Sequence, residues 1–91
     1  MNSVVHARVV AHGRVQGVFY RDTIRRAAEL RGVGGSAVNL PDGTVECHFE
    51  GFRPPVEEMI QVARNGSRAS DVERIELEWS EPEGTDEFRT G

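Results

Sequence analysis

The chain has no lysine and only one cysteine, Cys47, in its 91 residues. A lone cysteine closes no internal disulfide and builds no structural zinc site by itself, so the fold must rest on packing and hydrogen bonds. No apolar run approaches the ~20 residues that a membrane span needs. The opening stretch MNSVVHARVV lacks the basic start, apolar stretch and small-residue cleavage site of a secretion signal. A cytoplasmic location with no membrane partner is therefore expected. The net charge of −4 argues against general nucleic-acid binding. Because lysine is missing, every side-chain cation apart from histidine is a planar guanidinium, which suits phosphate, although a base-composition bias explains the same fact.

What is present fits one compact domain over residues 1–91. Residues 1–31 carry six arginines against Asp22 and Glu29, whereas residues 32–91 carry five against thirteen carboxylates. A basic N-terminal third attracts small anions; an uneven solvated surface is the plainer reading of the same pattern. Val5, Ala7, Val9 and Ala11 alternate with His6, Arg8, Val10 and His12, the period of a strand. After Gly13 and Gly17 the period changes. Tyr20, Thr23, Ile24, Ala27, Ala28 and Arg31 recur at helical steps, and Gly32, Gly34 and Gly35 are expected to end that helix. A second strand is expected over Ala37–Leu40. The turn Pro41-Asp42-Gly43 leads to a third strand, in which Val45, Cys47 and Phe49 face inward. Pro54 and Pro55 suit a helix start, Glu57 and Glu58 are expected in its first turn, and Val56, Met59, Ile60 and Ala63 form its apolar stripe. Ile75, Leu77 and Trp79 alternate with Arg74, Glu76 and Glu78, the period of a fourth strand, and Glu87–Thr90 suits a short edge strand. The order βαββαβ predicts an α+β, ferredoxin-like sandwich: an antiparallel sheet with two helices on one face. Such a fold hosts many functions and names none.

The segment His12–Arg21, HGRVQGVFYR, leaves a strand, crosses two glycines and enters a helix. Unpaired N–H groups at a helix N-terminus, with glycines that let the preceding backbone curl, make a nest for an anion. Arg21 stands in the first helical turn, placed to add two parallel N–H donors. The alternative is that Gly13 and Gly17 only make the turn and that Arg21 is a solvated helix residue. Asn39, just before the Pro41–Gly43 turn, carries an amide that both donates and accepts and so can fix a water. Equally, it is a turn-favouring residue that satisfies local backbone.

The run Gly13-Arg14-Val15-Gln16-Gly17-Val18-Phe19-Tyr20-Arg21 resembles the phosphate-loop signature of the acylphosphatase family throughout. Gly35, Ala37, Asn39, Gly43, Val45 and Gly51 match the spacing of that family's second signature. The resemblance covers nearly the whole chain. It implies a metal-free, cofactor-free enzyme that hydrolyses acyl phosphates to carboxylate and inorganic phosphate. By the same resemblance, Arg21 and the main chain of Val15, Gln16, Gly17, Val18, Phe19 and Tyr20 hold the phosphate, and Asn39 positions the attacking water. The substrate's own phosphate oxygen takes the water's proton, as proposed for the family. Two positions depart. Ser36 stands where the family usually carries an aromatic, and Val38 where a basic or other non-β-branched residue is usual. Loss of the aromatic is expected to thin the core packing around Asn39.

Those departures motivate an alternative: a catalytically silent module of the same fold that binds phosphate or a partner protein. An RNA-binding ferredoxin-like domain would need exposed aromatics on a central strand, yet Phe49 is inward and Glu46 and Glu50 are outward by periodicity. His6, His12 and His48 have no acidic partner at ligand spacing and are expected on the surface, with no metal site. Cys47 is expected to be buried and unreactive, Trp79 to cover the core or sheet, and Arg25 and Arg26 to lie on the solvated helix face. Small size and the lack of an apolar surface stripe suggest a monomer.

Overall fold

The computed structural model describes residues 3–91; Met1 and Asn2 lie outside the described residues. The alternating segment forms an 11-residue strand, β1 (Val4–Arg14). It is followed by α1 (Tyr20–Arg31), β2 (Gly34–Asn39), β3 (Val45–Phe52), α2 (Arg53–Asn65), β4 (Asp71–Ser80) and β5 (Phe88–Thr90). The five strands form one sheet in the order β4-β1-β3-β2-β5. The first four of these pair antiparallel, in the ferredoxin-like arrangement. The edge strand β5 joins β2 in parallel, so the antiparallel expectation fails for that one pair.

The core lies between one sheet face and the two helices. Ala7, Val9 and Ala11 of β1 pair in register with Phe49, Cys47 and Val45 of β3, and all six are fully buried. Helix α1 presents Tyr20, Ile24 and Ala28 to this layer, and α2 presents Val56, Met59, Ile60 and Ala63. Burying each larger side chain contributes about 1.5–3 kcal/mol relative to exposure. The helices are tied together by the Tyr20 hydroxyl, which donates to the Ala63 carbonyl at 2.7 Å, and by Arg31, whose Nε lies 2.9 Å from Glu58.

Four local expectations are corrected. Gly34 and Gly35 do not end α1, which closes at Gly32; they begin β2. Gly35 has φ 139°, and a side chain there would run into the His48 carbonyl, so only glycine lets β2 lie this close to β3. Glu57 and Glu58 fall beyond the first turn of α2, because the helix starts at Arg53; Glu57 pairs with Arg53 at 3.6 Å.

Leu77 and Trp79 point to the helix side, opposite Val9 and Ala7. They are nevertheless 42% and 39% exposed, because β4 is the other edge strand and the helices do not cover its outer margin. The Arg53 guanidinium lies 4.4 Å from the Trp79 ring centre and shields part of it. Ser36 pairs with His48 on the open sheet face, while its neighbour Ala37 pairs with buried Cys47. An aromatic at 36 would thus lie over His48 rather than in the core, and the serine does not thin the packing between sheet and helices.

Candidate active site

The segment between β1 and α1 is held by its ends and by side chains from elsewhere. A bulge between His12 and Gly13 shifts β1 against β4, and the chain leaves the sheet after Arg14. Gly17 takes φ 72°, a left-handed conformation that glycine adopts without steric cost. Phe19 is the N-cap of α1 and takes φ 62°, the only positive φ of a non-glycine residue among the described residues. A bulky side chain in that region costs roughly 1–2 kcal/mol.

Gln16 turns away from the loop, and its Nε2 donates to the carbonyls of Leu40 at 2.8 Å and Thr44 at 2.9 Å. Ser67, just past α2, donates to the Val18 carbonyl at 2.6 Å. The β2–β3 turn that receives Gln16 is itself fixed by Asp42, which accepts from the Thr44 hydroxyl at 2.6 Å and from its N–H at 3.0 Å. Those two bonds hold the Asp42 carboxyl below its usual pKa.

Among the described residues, the main-chain N–H groups from Val15 to Asp22 donate to no protein acceptor; the first N–H bonded within the helix is that of Thr23, to Phe19 at 3.0 Å. Loop and helix terminus therefore present one continuous run of free donors, with the positive end of the α1 dipole behind it. Val15, Gly17, Phe19, Tyr20 and Arg21 line a cavity of about 320 Å³ together with Asp22, Arg25 and Thr90. Five of the seven residues read from the sequence as the phosphate loop thus share one cavity, while Gln16 and Val18 act as its supports.

Arg21 lines this cavity, and its Nη1 donates to the Gly91 carbonyl at 2.6 Å. A guanidinium has five N–H donors, so this bond leaves most of them free. Gly91 in turn donates to the Ala37 carbonyl at 3.2 Å, and Thr90 pairs with Ala37. Asn39 stands two residues further along β2, next to the Leu40 carbonyl that receives Gln16. It is not among the residues lining the cavity, but its Oδ1 is buried and has no hydrogen-bond partner. A buried acceptor left unpaired costs about 1–3 kcal/mol, and local packing supplies no partner for it.

Sequence reasoning missed Thr90, Gly91, Ser67 and the wall formed by Asp22 and Arg25. Arg25 donates to Asp22 at 2.6 Å and to Glu29 at 3.0 Å, and Arg26 also pairs with Asp22, at 3.0 Å. The hydrogen bond to Asp22, more than the charge of Glu29, keeps Arg25 firmly protonated. The helical spacing of these residues was readable; the contacts of Thr90 and Gly91 with residues far back in the chain were not.

Of the three histidines expected on the surface, His6 is buried instead, while His12 and His48 keep part of their surface; all three meet a carboxylate. His6 is 2% exposed, and its Nδ1 lies 2.8 Å from Glu50, which is 4% exposed. Its Nε2 is 2.9 Å from His48 Nδ1. His12 donates to Glu76 at 2.5 Å, and His48 Nε2 lies 3.6 Å from Glu46. Cross-strand pairing supplies these partners, which no local spacing reveals.

Glu50 also accepts the N–H groups of Glu83 at 2.6 Å, Gly84 at 2.7 Å and Thr85 at 2.7 Å. Burial pushes its pKa up, but these three donors and His6 outweigh that, and the carboxyl sits below its usual value. An ionised carboxylate only accepts, so His6 carries a proton on Nδ1. Among the described residues, no three His, Cys, Asp or Glu side chains converge as metal ligands. Cys47 is fully buried, and burial, with the nearby charge of Glu46, pushes its thiol up to about 12, which leaves it unreactive.

A ferredoxin-like sheet with a glycine-bent loop of free main-chain donors running into its first helix defines a class of small α+β domains. The acylphosphatase family profile matches residues 7–90. The acylphosphatase of Haloarcula marismortui is 46% identical over 82 residues, covering 90% of each chain. That of Thermococcus kodakarensis is 45% identical over 85 residues, covering 93% of each. The crystal structure of acylphosphatase from Bacillus subtilis superposes with a TM-score of 0.92 at 32% identity, covering 96% of this chain and 98% of that one. The chain belongs to the acylphosphatase family.

Proposed function

We propose that this chain hydrolyses the mixed carboxylic–phosphoric anhydride of acyl phosphates, without a metal or other cofactor, as a monomeric single domain in the cytoplasm. The observation that carries the reading is the unbroken run of free main-chain donors from Val15 to Asp22, in one cavity with Arg21; the unpaired Oδ1 of Asn39 on β2 supports it. The phosphoryl group sits against those amides and the guanidinium. Asn39 Oδ1 accepts one hydrogen of a water and aims its oxygen at phosphorus. The water oxygen forms the new P–O bond, and the bond from phosphorus to the acyl oxygen breaks. The leaving carboxylate keeps the electron pair, and a proton of the water passes to a phosphoryl oxygen. The products are a carboxylate and dihydrogen phosphate.

Such a sparse site is sufficient. A carboxylate leaves readily and needs no general acid, and a loose transition state asks little of the nucleophile. What remains is charge stabilisation by Arg21 and the amides and positioning by Asn39. A net charge of −4 and an edge strand carrying Glu73, Glu76 and Glu78 fit a chain that binds neither nucleic acid nor membranes. No helix among the described residues is long and apolar enough to cross a membrane.

The test is the loss of benzoyl phosphate in excess EDTA, with p-nitrophenyl phosphate as a monoester control. Rapid loss of the anhydride alone supports the enzyme. Phosphate binding with no turnover would favour the silent module instead. Asn39→Ala is expected to retain phosphate inhibition and lose turnover; full turnover in that variant sinks the assignment of Asn39.

A further inference from the structure

Phe19 is 78% exposed at the mouth of the cavity, while its neighbour Tyr20 is buried in the core. It holds the left-handed φ of 62° without contributing to the core. Glycine or asparagine would meet the same backbone demand with less strain. An exposed aromatic in a strained position beside a cavity is better explained by a ligand than by stability. The cavity, about 320 Å³, has room for roughly ten waters, more than one phosphate group fills.

The charges around it narrow the ligand further. Of the lining cations, Arg21 belongs to the phosphate seat, and Arg25 is already bonded to Asp22 and Glu29. Asp22 itself stands in the wall. A second negative charge on the substrate would find a carboxylate and no uncommitted guanidinium in the lining, whereas a flat apolar group would find the Phe19 ring.

We propose that Phe19 is the acyl-selecting residue, an apolar platform at the cavity mouth that favours substrates whose acyl group is uncharged and aromatic or bulky over small or anionic ones. This rests on the acyl-phosphate reading above and adds the substrate class to it. The experiment measures kcat/KM for benzoyl, acetyl and succinyl phosphate in the wild-type chain, Phe19→Leu and Phe19→Asn, with inhibition by inorganic phosphate as a check on the seat. Asparagine tolerates the left-handed backbone, so it removes the ring while keeping the loop conformation.

The benzoyl-to-acetyl ratio is expected to fall about tenfold or more in Phe19→Asn, with Phe19→Leu between it and wild type. Wild type is expected to use succinyl phosphate least well relative to benzoyl phosphate. An equal fall on benzoyl and acetyl phosphate, or an unchanged ratio, overturns the assignment to Phe19 while leaving the acyl-phosphate reading standing. Succinyl phosphate used as well as benzoyl phosphate overturns the exclusion of anionic acyl groups. A wild-type chain inert to all three overturns the acyl-phosphate reading and this inference with it.

Discussion

Two sets of main-chain amides gather around anions in this molecule, and they differ in who supplies the charge. At one end of the sheet, the N–H groups of Glu83, Gly84 and Thr85 close on the carboxylate of Glu50, with His6 on the same group. Near the other end of β1, roughly 30 Å away along the strand, the N–H groups from Val15 to Asp22 close on nothing the protein provides. The filled nest fastens the segment that leads to β5. The open one contains a residue in a strained backbone conformation, Phe19, which a purely structural turn would not need. On the function proposed above, the same backbone device serves as a clamp when its anion is internal and as a binding site when it is not.

If the open nest is functional and the filled one structural, substitutions at the two should separate activity from stability. The largest effect belongs to Arg21. Arg21→Ala is expected to lower kcat/KM for benzoyl phosphate by at least about 10²–10³, the scale of losing one transition-state donor, and to weaken phosphate inhibition. Its melting temperature should move by only a few degrees. Glu50→Ala should do the reverse. It leaves His6 and three amides without an acceptor at a cost of about 3–5 kcal/mol. At roughly 4–8 °C per kcal/mol, the melting temperature should fall by more than 10 °C, while kcat of the folded fraction stays within about twofold.

A smaller effect comes from pH. Because the Glu50 carboxyl sits below its usual pKa when folded, its stabilisation is present at neutral pH and lost as pH falls through that depressed value. In urea titrations, the stability gap between wild type and Glu50→Gln should therefore narrow below pH ~4, beneath the ordinary glutamate value. A gap that stays constant down to pH 2 would show that the charge of Glu50 is not what holds the clamp. The smallest effect is at Phe19. Phe19→Asn should relieve the left-handed strain and raise stability by up to about 1 kcal/mol, seen as a few degrees in a thermal melt. Loss of stability there would mean that the exposed ring does packing work the described contacts do not reveal.

How far each nest could be read from the sequence follows from how local it is. The open nest lies within one short run, Gly13–Arg21, whose strand, glycines and helix onset are adjacent in the chain, so motif and periodicity both reach it. Asn39 needed a second motif, because Gln16 reaches the turn beside it across more than twenty residues. The filled nest joins His6 to Glu50, 44 positions on, and Glu50 to the segment from Glu83, 33 positions further. No short-range pattern carries such pairings.

The alternation of β4 was legible, but its place at the sheet margin, which leaves Leu77 and Trp79 exposed, was not. Gly34 and Gly35 looked like helix punctuation because glycine signals both a stop and a close strand approach, and only the register with β3 tells the two apart.

The route of β5 also matters for anyone handling the protein. It runs beside β2 so that Thr90 lines the cavity and the Gly91 carbonyl meets Arg21. Any segment joined after Gly91 starts at the rim of that cavity, so its bulk and charge bear directly on what can enter. One joined ahead of Val4 starts at the opposite end of the 11-residue β1, away from this cavity.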